Sequence, residues 1–105
     1  MQIRLRRTVC KWAGVEIRKS RFGKSEAFFV EGREFAHFHT SNELDIRLTR
    51  RVQREQEELL EDERVGLRER PSDWITFRFG NREDSKRAEA LLRLAWQANS
   101  RQRIP

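Results

Sequence analysis

Apolar and polar positions alternate along three stretches of the chain, and this alternation carries most of the information about its fold. Trp74-Ile75-Thr76-Phe77-Arg78-Phe79 is the clearest such stretch, stopped by Gly80-Asn81. Residues 43–48 alternate strictly, and residues 26–31 (EAFFVE) followed by EFAHFH are rich in aromatic and β-branched side chains. Alternation with period two and this composition predict strands. Val15 with Ile17 and Val65 with Leu67 predict two shorter strands. Gly32-Arg33 is read as a tight turn joining the second and third strands, and Arg21-Phe22-Gly23-Lys24 and Arg70-Pro71-Ser72-Asp73 as further turns. Gly32 and Gly80 are turn glycines, and no glycine-rich phosphate loop is present.

The helical signals are of two kinds. From Asp84 or Ser85, either of which suits an N-cap, to about Asn99, Ala88, Leu91, Leu92, Ala95 and Trp96 fall on one face of a helix and form a core stripe. Arg50 to Asp62, after Thr49 as N-cap, is full of helix formers. Its apolar residues are only Val52, Leu59 and Leu60, so it predicts a surface helix with a narrow contact stripe. Its cations come first and its acids last, against the helix dipole. Residues 3–12 are read as a short helix, and RQRIP at the end as a frayed tail. The fold class expected is α+β: an antiparallel sheet with a C-terminal helix covering one face and a second surface helix between strands.

Parity sorts the three best strands into two faces. Ala36, Phe38, Leu44, Ile46, Leu48, Ile75, Phe77 and Phe79 form a wholly apolar set, the face for the C-terminal helix. Phe35, His37, His39, Asp45, Arg47, Trp74, Thr76 and Arg78 form the opposite set, polar and aromatic together. Opposed residues of an antiparallel pair share a face, so the loop between residues 39 and 43 should hold an odd number of residues. A three-residue loop, Thr40-Ser41-Asn42, sets His39 opposite Glu43, His37 opposite Asp45 and Phe35 opposite Arg47. A five-residue loop instead sets His39 opposite Asp45. In both registers a histidine meets a carboxylate. Such a pair orients the ring for acid–base work. The His-x-His spacing also suits metal chelation with Asp45 or Glu43 as a third ligand, but no metal is assigned. The plain alternative is ordinary cross-strand stabilisation. Trp74 beside cations and histidines has the make-up of a binding surface, unless the N-terminal segment covers it with Trp12 or Ile3.

The chain has 105 residues, enough for one domain spanning 1–105 with a modest core. Charged residues make up 38%, and no apolar run approaches the length of a membrane span. The N-terminus lacks the apolar stretch of a signal peptide, and the single Cys10 excludes an internal disulfide and a cysteine-based zinc site within one chain. The expectation is a reduced, cytoplasmic, basic protein in which Cys10 is a small packing residue. Arg4, Arg6, Arg7, Lys11, Arg18, Lys19, Arg21 and Lys24 face only Glu16 in the first 24 residues. This quarter therefore accounts for all of the net charge of +6. It is a candidate nucleic-acid surface, secondary to the sheet-face pocket.

Arg21-Phe22-Gly23, the block Gly32 to His39, Asp45, Ser72-Asp73-Trp74 and the closing helix together resemble the luciferase-domain family, small bacterial proteins similar to the fungal luciferase, over roughly residues 12–97. The resemblance implies a ligand-binding or oxygen-handling pocket. The fungal enzyme oxidises a hydroxypyrone with molecular oxygen and is similar in needing no evident metal or flavin. Here Asp73 stands where the family usually has glycine, and Leu67 to Arg70 lacks the histidines often found there. A weaker architectural resemblance is to the CyaY/YjbR-like fold, some of whose members are called DNA-binding. His37, His39 and Asp45 are thus the catalytic candidates. Arg47, Trp74 and Arg78 are the candidates for holding a small planar or anionic ligand. The cofactor and the oligomeric state are left unassigned.

Overall fold

Six strands form one sheet, and every neighbouring pair runs antiparallel. The computed structural model describes residues 2–100; the tail expected to fray lies outside them. In chain order the elements are α1 (Gln2–Val9), β1 (Val15–Lys19), β2 (Glu26–Val30), β3 (Arg33–Thr40), β4 (Glu43–Arg47), α2 (Arg50–Glu55), α3 (Glu57–Leu60), β5 (Val65–Leu67), β6 (Trp74–Arg78) and α4 (Arg82–Asn99). The strand order is β1-β2-β3-β4-β6-β5. This is the α+β architecture read from the sequence.

The core lies between the sheet and α4, which packs on β3 and β4 with α1 beside it. Ala36, Leu44, Ile46, Leu48, Ile75, Phe77 and Phe79 are buried with Ala88, Leu91, Leu92 and Ala95, and Phe38 is partly buried against them. Both the apolar set of the strands and the stripe of α4 therefore hold. Leu5 and Val9, one helical turn apart, bring α1 into the same core. Trp12 then packs on Trp96, with ring centroids 5.7 Å apart, and the Trp96 indole N–H donates to the Ala13 carbonyl. The N-terminal segment thus closes the core side and does not cover Trp74. Cys10 is exposed rather than packed.

Several boundaries differ from the sequence reading, each for a local reason. The β2–β3 turn is Glu31-Gly32, not Gly32-Arg33. Both residues have positive φ (50° and 82°), as a two-residue turn matched to strand twist requires, and Val30 pairs with Arg33. The long surface helix is two helices broken at Gln56, where φ is −117° and ψ 38°. The break gives α2 Arg54 in its last turn and α3 Glu57 and Glu58 in its first, relieving part of the mismatch with the dipole. Thr49 caps α2 as expected, its hydroxyl accepting from the Val52 N–H. Helix α4 begins earlier than expected. Its N-cap is Asn81, whose side chain accepts from Asp84 N–H while the Asp84 carboxylate accepts from Asn81 N–H, a capping box.

Asp84 also ties α4 to the strand side through Arg64, whose guanidinium pairs with both Asp84 and Asp62 and lies over the Phe77 ring. Hydrogen bonds from Arg64 are the main reason that both carboxyls are held below the usual range, Asp62 down to about 2. A depressed carboxyl stabilises the fold above its unfolded value and loses that contribution as the pH falls through its folded value. The unfolding free energy is therefore expected to drop between about pH 4 and pH 2. In Arg64→Met this acid slope should flatten, with about 2 kcal/mol lost at neutral pH. Urea unfolding of both proteins across that pH range measures it.

Candidate functional site

Two bulges in β3 build the polar face. Phe28 pairs with Ala36 while Phe29 pairs with Glu34, so Phe35 is an extra residue in the strand. Likewise Phe38 pairs with Leu44 while Thr40 pairs with Glu43, so His39 is extra. Bulges re-aim the side chains beside them. The first turns Phe35 into the core, where it is fully buried against Phe28. This overturns its assignment to the polar face opposite Arg47, and Glu34 takes its place beside His37. The second bulge allows a two-residue loop, Ser41-Asn42, without mixing the faces. His39 therefore does not oppose Glu43, whereas His37 does oppose Asp45 as the three-residue register required.

His37 stands between two buried carboxylates. Its Nδ1 is 2.8 Å from Glu34 Oε2 and its Nε2 is 3.0 Å from Asp45 Oδ2. A neutral imidazole has one N–H, so serving both partners takes the doubly protonated ring or a proton retained on a carboxyl group. Glu34 also accepts from Ser20 Oγ and from the Arg21 N–H, each at 2.7 Å. Asp45 accepts from Thr76 Oγ1 at 2.7 Å, and an Arg68 terminal nitrogen lies 3.4 Å from its Oδ1. Arg68 in turn donates to Thr76 Oγ1 at 2.8 Å. The row His37–Asp45–Thr76 thus crosses β3, β4 and β6 with every polar group engaged.

His39 is different. Its side chain is 60% exposed, and its Nδ1 sits 3.4 Å from Asp45 Oδ2. Its Nε2 has no partner among the described residues. Next to it opens a concavity of about 360 Å³. Three rings, Phe22, His37 and Trp74, line it together with His39, Asp45, Arg68 and Ser72. Phe22 meets Trp74 edge-on with centroids 5.3 Å apart, and His37 lies 5.4 Å from Trp74.

The fold therefore gathers His37, His39, Asp45 and Trp74 as the sequence suggested, and leaves the other two candidates outside. The Arg47 guanidinium donates to Asp73 at 2.9 Å and pairs with Asn99, holding the end of β4 to α4 and to the loop before β6. Arg78 is exposed and 3.8 Å from Glu43. Glu34, Ser20, Phe22 and Arg68 were not singled out as site residues. The signal for Glu34 was present: Phe35-Ala36 is an adjacent apolar pair that interrupts alternation, as a bulge does. Among the described residues no group of three or more His, Cys, Asp or Glu is arranged to hold a metal ion.

The basic residues of the first quarter are exposed but unevenly free. Arg6 pairs with Glu26, Arg18 with Glu16, and the Arg21 guanidinium donates to the Gly32 carbonyl. Arg4 and Arg7 lie three apart on α1, and Lys11 follows in the turn. Lys19 ends β1 on the sheet edge.

An antiparallel α+β protein whose sheet carries a histidine–carboxylate row beside an aromatic-lined concavity is the class these features define. The chain belongs to the luciferase-domain family, whose model matches residues 32–95. That span starts inside the β2–β3 turn and ends within α4, and it contains Glu34, His37, His39, Asp45, Arg68, Ser72 and Trp74. Ser20 and Phe22 precede it. Comparison with curated proteins and comparison with solved structures each give no significant match. Among the described residues no helix is long and apolar enough to cross a membrane.

Proposed function

We propose that the concavity binds a small planar ligand bearing an acidic hydroxyl, and that His39 is its acid–base group. In this reading a ligand hydroxyl gives its proton to His39 Nε2, and Asp45 at Nδ1 orients the ring and stabilises the imidazolium that forms. Trp74 supplies the flat apolar surface and Phe22, edge-on to it, the adjoining wall, and Arg68, which lines the concavity as Arg47 does not, attracts the resulting oxyanion. His37 holds the two carboxylates in place with both ring nitrogens, and offers the ligand only its ring surface. The observation that carries the reading is the Nε2 of His39, without a partner among the described residues, beside the ring-lined concavity, with Asp45 behind it. Family membership supports the choice of ligand, since the resemblance to the fungal enzyme points to hydroxypyrone chemistry; an oxidative step on the bound ring is the finer form of the proposal.

Triacetic acid lactone, a simple hydroxypyrone, is the probe. Titrated into the protein and followed by NMR, it is expected to shift the Trp74 indole and His39 ring signals while the Trp12 and Trp96 indoles stay put. Trp74→Ala should weaken binding about tenfold, the stacking of one ring on an aromatic being worth roughly 1 kcal/mol or somewhat more. Shifts confined to other regions would refute the assignment. The second reading, nucleic-acid binding, is favoured by Arg4, Arg7 and Lys11 on one exposed side of the N-terminal segment. Its mark would be binding that falls steeply with salt and is lost in an Arg4/Arg6/Arg7 triple alanine variant.

A further inference from the structure

Phe22 is the one wall of the concavity that does not come from the sheet or its immediate flanks. It sits on the Ser20–Ser25 turn, and 67% of its surface is exposed, so packing alone does not hold it. Gly23 beside it has no neighbour near the space a Cβ would occupy. The Ser20 N–H closes the turn on the Ser25 carbonyl at 2.8 Å and the Arg21 guanidinium reaches the Gly32 carbonyl, but the side that carries Phe22 is tied to Glu34. Ser20 Oγ donates to Glu34 Oε2 at 2.7 Å and in the same position accepts from the Phe22 N–H at 3.0 Å. The Arg21 N–H donates to the other carboxylate oxygen at 2.7 Å. Glu34 is thus joined through one hydroxyl to the backbone of Phe22. It is itself anchored by His37, and its side chain is only 2% exposed. A buried carboxyl group is kept in such a place only when its oxygens are hydrogen-bonded, and here two of its three partners belong to the turn.

We propose that Glu34 is the positioning residue that sets ligand selectivity: by fixing the Ser20–Ser25 turn it keeps Phe22 against Trp74 and His37, and so holds the aromatic wall that favours flat unsaturated ligands over puckered ones. The selectivity rests on the pocket reading above, whereas the fixing of the turn does not. Glu34→Leu keeps a similar volume but has no acceptor oxygen, so Ser20 Oγ, the Arg21 N–H and His37 all lose this partner. The turn is then free to move Phe22 away, and the site loses that preference.

The test has two arms. Without ligand, amide exchange of Arg21 by NMR should rise at least about tenfold in Glu34→Leu, as expected for loss of a hydrogen bond to a buried carboxyl group. With ligand, wild type should bind flat triacetic acid lactone and discriminate against the saturated, puckered cyclohexanecarboxylate. In Glu34→Leu the ratio of the two affinities should fall about tenfold or more. Phe22→Ala should lower the ratio in the same way. General destabilisation would weaken both probes alike and leave the ratio intact. Should Glu34→Leu fail to fold, Ser20→Ala removes one tie while keeping Glu34 and His37, and should move both readouts in the same direction. Unchanged Arg21 exchange, or an unchanged ratio, overturns the proposal. Failure of wild type to bind either probe overturns the selectivity together with the pocket reading, while a raised Arg21 exchange would still assign the turn to Glu34.

Discussion

His37→Ala is expected to lower the unfolding free energy by about 3–5 kcal/mol, read from urea denaturation at neutral pH. The ring is the shared partner of two carboxylates whose side chains are only 2% and 10% exposed. Removing it leaves two buried acids side by side with fewer donors, and removing one member of a buried ionic group costs more than the group contributes when whole. The same reasoning gives the rescue. His37→Ala combined with Glu34→Gln and Asp45→Asn removes the stranded charges and should recover a substantial part of the loss, which a mere cavity would not allow. A loss below about 1 kcal/mol for His37→Ala would mean that the bridge is not what orders this face.

Phe35→Ala is expected to cost about 3–5 kcal/mol, the range for deleting a fully buried aromatic side chain. Strand parity alone puts Phe35 on the polar face beside His37, where truncation would cost little. The bulge puts it in the core at 0% exposure, against Phe28. The two placements therefore differ by several kcal/mol in one thermal or urea experiment. The size of the effect tests the bulge, and with it the entry of Glu34 into the site.

The contrast between these two residues explains how far the sequence could be read. Period-two alternation located β1, β4, β5 and β6, aromatic and β-branched composition located β2 and β3, and helical spacing located α4 and its buried stripe, because burial of one face imposes those periods wherever a sheet meets a helix. The same rule gave the pairing of His37 with Asp45 as one of two registers, the one with the shorter loop. What escaped was whatever breaks the period. One inserted residue at Phe35 and another at His39 reverse the parity of their neighbours, so Glu34 was missed and His39 was set opposite the wrong residue. The adjacent pairs Phe35-Ala36 and His39-Thr40 were the visible traces. Arg47 was chosen for its charge and its face, but Asp73 and Asn99 occupy it, and a contact with the end of a distant helix leaves no local pattern. Phe22 and Arg68 come from segments outside the central strands, so alternation had nothing to say about them. The split at Gln56 was foreshadowed by the reversed charges of the long helix.

These observations divide the labour between the two histidines of the chain. His37 is enclosed and fully engaged, whereas His39 is exposed, and its Nε2 has no partner among the described residues. A parallel measurement of stability and of triacetic acid lactone binding in His39→Ala tests this division most directly. The expected result is an unfolding free energy within about 0.5 kcal/mol of wild type, as for an exposed position, with probe binding weakened at least about tenfold by loss of the hydrogen-bonding imidazole from the site. Binding equal to that of wild type, or a loss of stability matching that of His37→Ala, would contradict it.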